Sequence, residues 1–264
     1  MDAGDGLSPA GGLIQRGQEG RALRAPVLRG DQAFGVNLRL GGLVPWSSVD
    51  YPGRQAAVLF VTGCPWRCPY CHNSHLWAGE AGLSWAAVRG FLETRVGLLD
   101  AVVVSGGEPL AQATAVHAAL VEVRTLGFAT ALHTAGVSPR RLQTLLGDLD
   151  WVGLDVKGPF SRYDAITARE GSGAAARASV EAVLRSAKPH ELRTTVHPEL
   201  LSDDDLLTML RELVAMGARS VTLKNFRPTG CPDARLAATY RPWLKPELAT
   251  ELRAIMPGVV LPDG

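Results

Sequence analysis

Residues 57–73 read AVLFVTGCPWRCPYCHN. The first five, Ala57 to Val61, are apolar and include the branched and aromatic types that fill buried strands. Thr62-Gly63 breaks the run, and Cys64, Cys68 and Cys71 follow within eight positions. A buried strand that ends in a thiol-rich loop is therefore the unit from which the rest of the chain is read.

Similar apolar runs recur at 101–104, 129–132, 151–154, 192–196 and 220–223, giving six expected strands. Between them, 84–98, 112–126, 138–146, 173–187 and 203–216 carry apolar residues at three- and four-residue intervals, the period of a helix with one buried face. Ser84, Ser138 before Pro139, and Ser202 before the acidic Asp203-Asp204-Asp205 turn are N-terminal cap signals, and Gly127 and Gly217 are C-terminal stops. Near-continuous apolar strands alternating with helices imply an α/β fold with a parallel sheet covered on both faces. That leaves an open doubly wound sheet or a barrel. Six units fall short of the eight strands and ~250 residues of a full barrel, so the expected architecture is an incomplete (β/α)6 TIM-like barrel.

The expected domain spans 35–264. Residues 1–34, rich in Gly, Ala and Arg and without a sustained apolar period, read as a flexible extension. The 264 residues are 46% hydrophobic and 20% charged, which rules out disorder throughout. A balance of 27 Lys+Arg against 26 Asp+Glu, net +1, supplies no overall field for nucleic acid. No apolar run approaches a transmembrane span and no secretory signal is legible, so the expected location is the cytoplasm, with no membrane partner.

The four cysteines, three clustered and Cys231 distant, suit ligation in a reducing compartment better than a disulfide framework. Three ligation chemistries compete. Three thiolates with His72 make a Cys3His zinc set, although adjacent Cys71-His72 is an awkward chelate. Cys68-Pro-Tyr-Cys71-His72 matches the haem-attachment pattern, which is normally used outside the cytosol. The third is an iron-sulfur cluster on a C-x3-C-x2-C spacing, where three thiolates leave one of four irons open to a further ligand. Cys231, in a Pro-Thr-Gly-Cys-Pro turn, has no expected partner or role. The polar residues Ser105 to Glu108, His133, Thr134, Asp155, Lys157, His197, Lys224, Asn225 and Arg227 all follow strands, the end at which barrels of parallel strands carry their chemistry. His117 and His190 read as structural or solvated.

Taken in order, Cys64-x3-Cys68-x2-Cys71 with Tyr70 before the last cysteine, and Gly106-Gly107-Glu108-Pro109 after the second strand, resemble the radical S-adenosylmethionine (SAM) enzymes. Val49-Asp50-Tyr51-Pro52-Gly53-Arg54, Cys71-His72-Asn73 and Leu154-Asp155-Val156-Lys157 narrow the resemblance to the glycyl-radical activating enzymes. Chain length, the approach Val44-Pro45-Trp46-Ser47-Ser48 and the Phe226-Arg227-Pro228 ending look most like the longer form of activators of anaerobic ribonucleoside-triphosphate reductase. The resemblance runs from about Leu38 into the C-terminal region.

This resemblance implies one [4Fe-4S] cluster on Cys64, Cys68 and Cys71, with SAM chelating the open iron. It implies cofactor contacts from Tyr70, Cys71, His72, Gly106, Gly107, Glu108, Thr134, Asp155, Val156, Lys157 and Arg227. Gly106 and Gly107 would let the backbone approach the methionine moiety, Glu108 would accept from its ammonium, and Tyr70 would lie near adenine. His133 stands where relatives carry an acidic residue, so the cation site some of them build there is not expected. The implied reaction is reductive cleavage of SAM to a 5′-deoxyadenosyl radical that installs a glycyl radical on a partner, an anaerobic ribonucleotide reductase, with electrons from a low-potential donor such as flavodoxin or ferredoxin. The competing readings are a radical SAM enzyme acting on a small molecule, similar to 7-carboxy-7-deazaguanine synthase, and a haem- or zinc-binding module without catalysis.

Overall fold

Each of the six apolar runs forms a strand in the computed structural model, which describes residues 36–78 and 81–262. The extension expected over 1–34 lies outside those residues. The elements are, in chain order, β1 (Leu40–Ser47), β2 (Ala56–Val61), α1 (Trp85–Glu93), β3 (Ala101–Gly106), α2 (Ala113–Thr125), β4 (Ala129–Thr134), α3 (Pro139–Leu145), β5 (Trp151–Asp155), α4 (Tyr163–Thr167), α5 (Ser172–Ser186), β6 (His190–Val196), α6 (Asp203–Ala215), β7 (Thr222–Asn225), α7 (Ala234–Thr239) and α8 (Pro246–Ile255).

All seven strands join one sheet in the order β1 to β7. Strands β2 to β7 run parallel, each crossing over through helix, and β1 lies antiparallel on β2. β1 and β7 do not pair with each other, so the sheet is an arc rather than a closed barrel. This is the incomplete (β/α)6 barrel expected from the alternation of strand and helix.

Side-chain alternation sorts the two faces. Ala57, Leu59, Val61, Val102, Val104 and Leu132 join the large core under the helices. Ala56, Val58, Ala101, Val103 and Ala131, smaller on the whole, form a second cluster with Tyr51 and Trp151 on the other face. A curved arc has less room on its inside, which favours small residues there. The β1–β2 connection passes beneath this inner face: Tyr51 stacks on Trp151, with ring centroids 5.4 Å apart and planes 25° apart. The neighbouring Asp50 carbonyl oxygen is 2.7 Å from His133 Nε2.

The caps differ in how they work. Ser84 Oγ accepts from the Ala87 N–H, and Ser202 makes a reciprocal capping box with Asp205. Ser138 makes no side-chain cap, and α3 starts on Pro139 alone. Strand β1 was not expected: its LGGLVPWS sequence holds two glycines and a proline, and it survives as an edge strand with two register irregularities. The short helices α4 and α7, and α8 near the C-terminus, were not expected either.

The glycine pair after β3 fixes how the first two parallel strands end. Gly106 has φ +118°, and a Cβ on it would lie 2.4 Å from both Val61 N and Val61 O. A Cβ on Gly107 would lie 2.5 Å from the Gly63 carbonyl oxygen. The ladder therefore runs on past the strands, with the Gly107 N–H donating to Val61 O at 2.8 Å and the Glu108 N–H to Gly63 O at 2.9 Å. The close approach that these glycines permit is, first of all, one between two segments of the chain itself. Gly106→Ala is expected to destabilise the protein by about 2 kcal/mol or more in urea unfolding. Gly90→Ala, on an open position inside α1, is expected to be neutral or stabilising by up to about 1 kcal/mol.

Candidate active site

The cysteine loop starts where β2 stops and is held at several points. The Gly63 N–H donates to Leu76 O (2.7 Å), the Arg67 N–H to Thr167 O at the end of α4 (2.9 Å), and the Cys71 N–H to Cys68 O (3.0 Å). The Arg67 guanidinium donates to the carbonyls of Cys64 and Trp66 and lies over the Trp77 ring. Trp66 meets Tyr163 edge-on at 6.0 Å. A loop tied at this many points presents its thiols in a set geometry.

Cys68 is buried, while Cys64 and Cys71 are half-buried. Burial pushes the Cys64 thiol up to about 12, and burial raises Cys68 too, with its neighbours Lys157 opposing and Cys71 adding to the shift. Cys64 and Cys68 bear electrostatically on one another, as do Cys68 and Cys71. Thiols held this way become thiolates only against a cationic centre. Among the described residues no three Cys, His, Asp or Glu side chains converge on a single ion, and the His72 side chain is exposed. With His72 exposed, the donors that this tied loop supplies are the three thiols, and three soft thiol donors on one short loop fit a [4Fe-4S] cluster.

Facing the loop are the ends of β3, β4 and β5. Glu108 is buried, at 1% exposure, and accepts from the Leu110 N–H (2.9 Å), Thr134 Oγ1 (2.6 Å) and the Ala135 N–H (2.8 Å). Burial raises its pKa above the ordinary carboxylate range, and those three donors offset part of the rise. Thr134 Oγ1 in turn accepts from the Gly136 N–H at 3.0 Å. Three donors leave one acceptor site of the Glu108 carboxylate for anything else.

Lys157 extends over the Tyr70 ring, its Nζ 5.6 Å from the centroid and 3.8 Å from Asp155 Oδ2. Burial works to lower its pKa, but Tyr70, Cys68 and Asp155 outweigh that and hold it charged. For Asp155, burial works to raise the pKa, and Arg193 and Lys157 outweigh it so that the carboxylate stays ionised. Arg193 donates to Asp155 Oδ1 from Nε (3.1 Å) and from its second terminal nitrogen (2.9 Å). With 40% of its side chain open, Asp155 retains an accessible oxygen.

Several sequence expectations need adjusting. Arg193 is a rim residue that the sequence reading missed. The signal was parity: Leu192, Thr194 and Val196 face the helices, so Arg193 between them faces inward. Tyr163, also missed, accepts the Lys157 N–H at 2.8 Å. Val156 is buried, and its N–H donates to Arg193 O. Arg227 follows β7 on an exposed position.

Cys231 is not isolated, because a turn after β7 brings its Sγ to within 3.3 Å of the Pro69 carbonyl oxygen in the cysteine loop. His197 is structural: Nδ1 accepts from the Glu199 N–H, Nε2 faces Leu236 O at 2.9 Å, and the ring packs on Phe226 and Tyr240. His117 meets Asp148 at 2.7 Å on the surface, and His190 is exposed.

Known proteins resemble this chain in sequence and in fold. A glycyl-radical enzyme activating enzyme, provisionally named as such, from Methanocaldococcus jannaschii is 29% identical over 174 residues, 63% of this chain and 72% of its own. Pyruvate formate-lyase-activating enzyme of Streptococcus mutans is 27% identical over 68% of this chain and 71% of its own. A shorter match, 29% over 34% of this chain, is to 7-carboxy-7-deazaguanine synthase of Hyperthermus butylicus, of which it spans 38%. The fold is shared with Streptococcus suis SuiB bound to precursor peptide SuiA, at a TM-score of 0.58 and 11% identity, covering 78% of this chain and about half (48%) of that one. No helix among the described residues is long and apolar enough to cross a membrane. Residues 58–213 match the Radical SAM superfamily, and the chain belongs to that superfamily.

Proposed function

We propose that this radical SAM enzyme activates a glycyl-radical enzyme, and that its partner is an anaerobic ribonucleotide reductase. The observation that carries the reading is the three-thiol loop set opposite a charged strand-end rim in an arc that is not closed. When bound, a [4Fe-4S] cluster and SAM supply an electron-driven cleavage of the sulfonium, giving methionine and a 5′-deoxyadenosyl radical able to take a hydrogen atom from glycine.

The chain's own residues have separable tasks in this reading. Cys64, Cys68 and Cys71 would hold the cluster through three thiolates, a protein ligand set that would leave it able to take SAM as a further ligand. Lys157 sets a permanent positive charge beside Cys68, offsetting the negative charge that three thiolates bring into a buried place. Glu108 has one acceptor left for the SAM ammonium, and Thr134 keeps that carboxylate aimed. Asp155, braced by Arg193, offers its open oxygen to ribose hydroxyls, and Tyr70 flanks adenine under the Lys157 ammonium. His72, Gly106, Gly107, Val156 and Arg227 complete the cofactor's surroundings, mainly through backbone in the cases of Gly106, Gly107 and Val156. Strands β1 and β7 do not pair, although the segment at Val260 lies along β7; a peptide loop of the partner would enter on this unpaired side. The likeness to 7-carboxy-7-deazaguanine synthase favours a small-molecule substrate as the second reading. The Tyr-Pro-Gly-Arg and Cys-His-Asn stretches, with the activating relatives, favour a protein substrate.

Two outcomes test this. After anaerobic reconstitution, Cys68→Ala should lose the cluster's visible absorbance and drop 5′-deoxyadenosine formation at least a hundredfold, with its far-UV circular dichroism unchanged. Lys157→Met should weaken SAM binding by about tenfold or more, the scale of a lost charged contact. Adding the reductase should yield a glycyl radical by electron paramagnetic resonance; 5′-deoxyadenosine without that radical would favour the small-molecule reading.

A further inference from the structure

The reaction above consumes an electron that must come from another molecule, and one surface joined to the cysteine loop has a definite character. Arg39, Arg140 and Arg141 line a concavity of about 750 Å³ together with Asn37, Gln112, Thr114, His117, Ser138 and Thr144. No carboxylate lines it, and all three arginines are exposed. Among the described residues none of the three pairs with an acid; Arg141 donates to the Leu110 carbonyl oxygen.

The concavity lies on the carboxyl-end rim, because Arg39 precedes β1 beside the end of β2, while α2 and α3 begin there after β3 and β4. It is also joined to the cysteine loop. Gln112 accepts from the Arg39 N–H (2.9 Å) and donates to the carbonyl oxygens of Arg39 (3.2 Å) and Thr62 (2.8 Å). Arg39's guanidinium lies against Gly63, 3.4 Å from where a Cβ would stand, one residue before Cys64. A partner seated on these arginines would face a covalent and hydrogen-bonded route to a cluster ligand, through Gln112, Thr62 and Gly63.

We propose that this arginine face is the docking surface for an acidic one-electron carrier protein. The inference rests on the radical SAM reading of the same site. Charge complementarity would steer the encounter and speed it by one to three orders of magnitude at low salt. A second basic concavity, of about 850 Å³ and lined by Arg185, Lys188, His190 and Arg219, lies at the amino end of β6, the opposite end of the strands. It has similar charge but no such route to the cysteines, so it serves as the internal control.

The experiment compares Arg39→Glu/Arg140→Glu with Arg185→Glu/Arg219→Glu, each reconstituted to the same cluster content. Binding of an acidic flavodoxin is measured by calorimetry, and 5′-deoxyadenosine formation is driven either by reduced flavodoxin or by dithionite. The rim variant should bind flavodoxin at least tenfold more weakly and lose at least tenfold in the flavodoxin-driven rate, with a flatter salt dependence. Its dithionite-driven rate should stay within twofold of the parent, and the control variant should match the parent throughout. Unchanged flavodoxin affinity in the rim variant, or an equal loss in the control, overturns the proposal. If the parent forms no 5′-deoxyadenosine with dithionite, it is the enzymatic reading that fails, and the calorimetric comparison still decides the docking surface.

Discussion

The carboxylate of Glu108 is the hinge on which the rim is built. It sits almost out of reach of solvent, and its backbone N–H continues the β2–β3 ladder to Gly63. Its side chain gathers donors from the start of the next helical turn and from the end of β4. A buried carboxylate without such donors would cost several kcal/mol, so the three segments it joins are not free to shift independently. The cysteine loop, the glycine turn and the Thr134 turn are thereby held in one frame before any cofactor is present.

The second frame is electrostatic. Asp155 lies between Lys157 and Arg193, so two cations bracket this one carboxylate, while the buried Glu108 beside it is met by hydrogen-bond donors and has its pKa raised. That excess is sensible where a cluster with three thiolate ligands would bring negative charge into partly dehydrated surroundings, since buried charge persists only when compensated. The contact between Arg193 and His133, at 3.2 Å, extends this network towards the connection beneath the arc. His133, held mainly by burial and by Arg193 with its pKa down at about 4, stays neutral there. The sequence had already set His133 apart as a non-acidic residue, and the neighbouring guanidinium supplies a fixed positive charge at that position.

What could be read from the sequence was what depends on local chemistry. Strands of continuous Ala, Val and Leu announced themselves because both their faces are covered, and the cysteine loop did so because three thiols bunched at that spacing suit ligation and little else. Strand β1 did not, because an edge strand is defined by its neighbour β2 rather than by its own glycine- and proline-bearing residues. The inward turn of Arg193 and the approach of Cys231 to Pro69 depend on which residues the fold brings together over long sequence separations. The glycine pair was legible as a turn, but that Val61 and Gly63 fill the space beside it follows only from the parallel register of β2 and β3.

The Tyr51–Trp151 stack gives the arc a floor. Both rings belong to one buried apolar cluster with Ala56, Val58, Ala101, Val103 and Ala131, so the connection that carries Tyr51 is clamped to the first residues of three parallel strands. Moving that connection would first require two stacked aromatic rings to part, which ties the edge strand's position to the packing of the sheet's inner face.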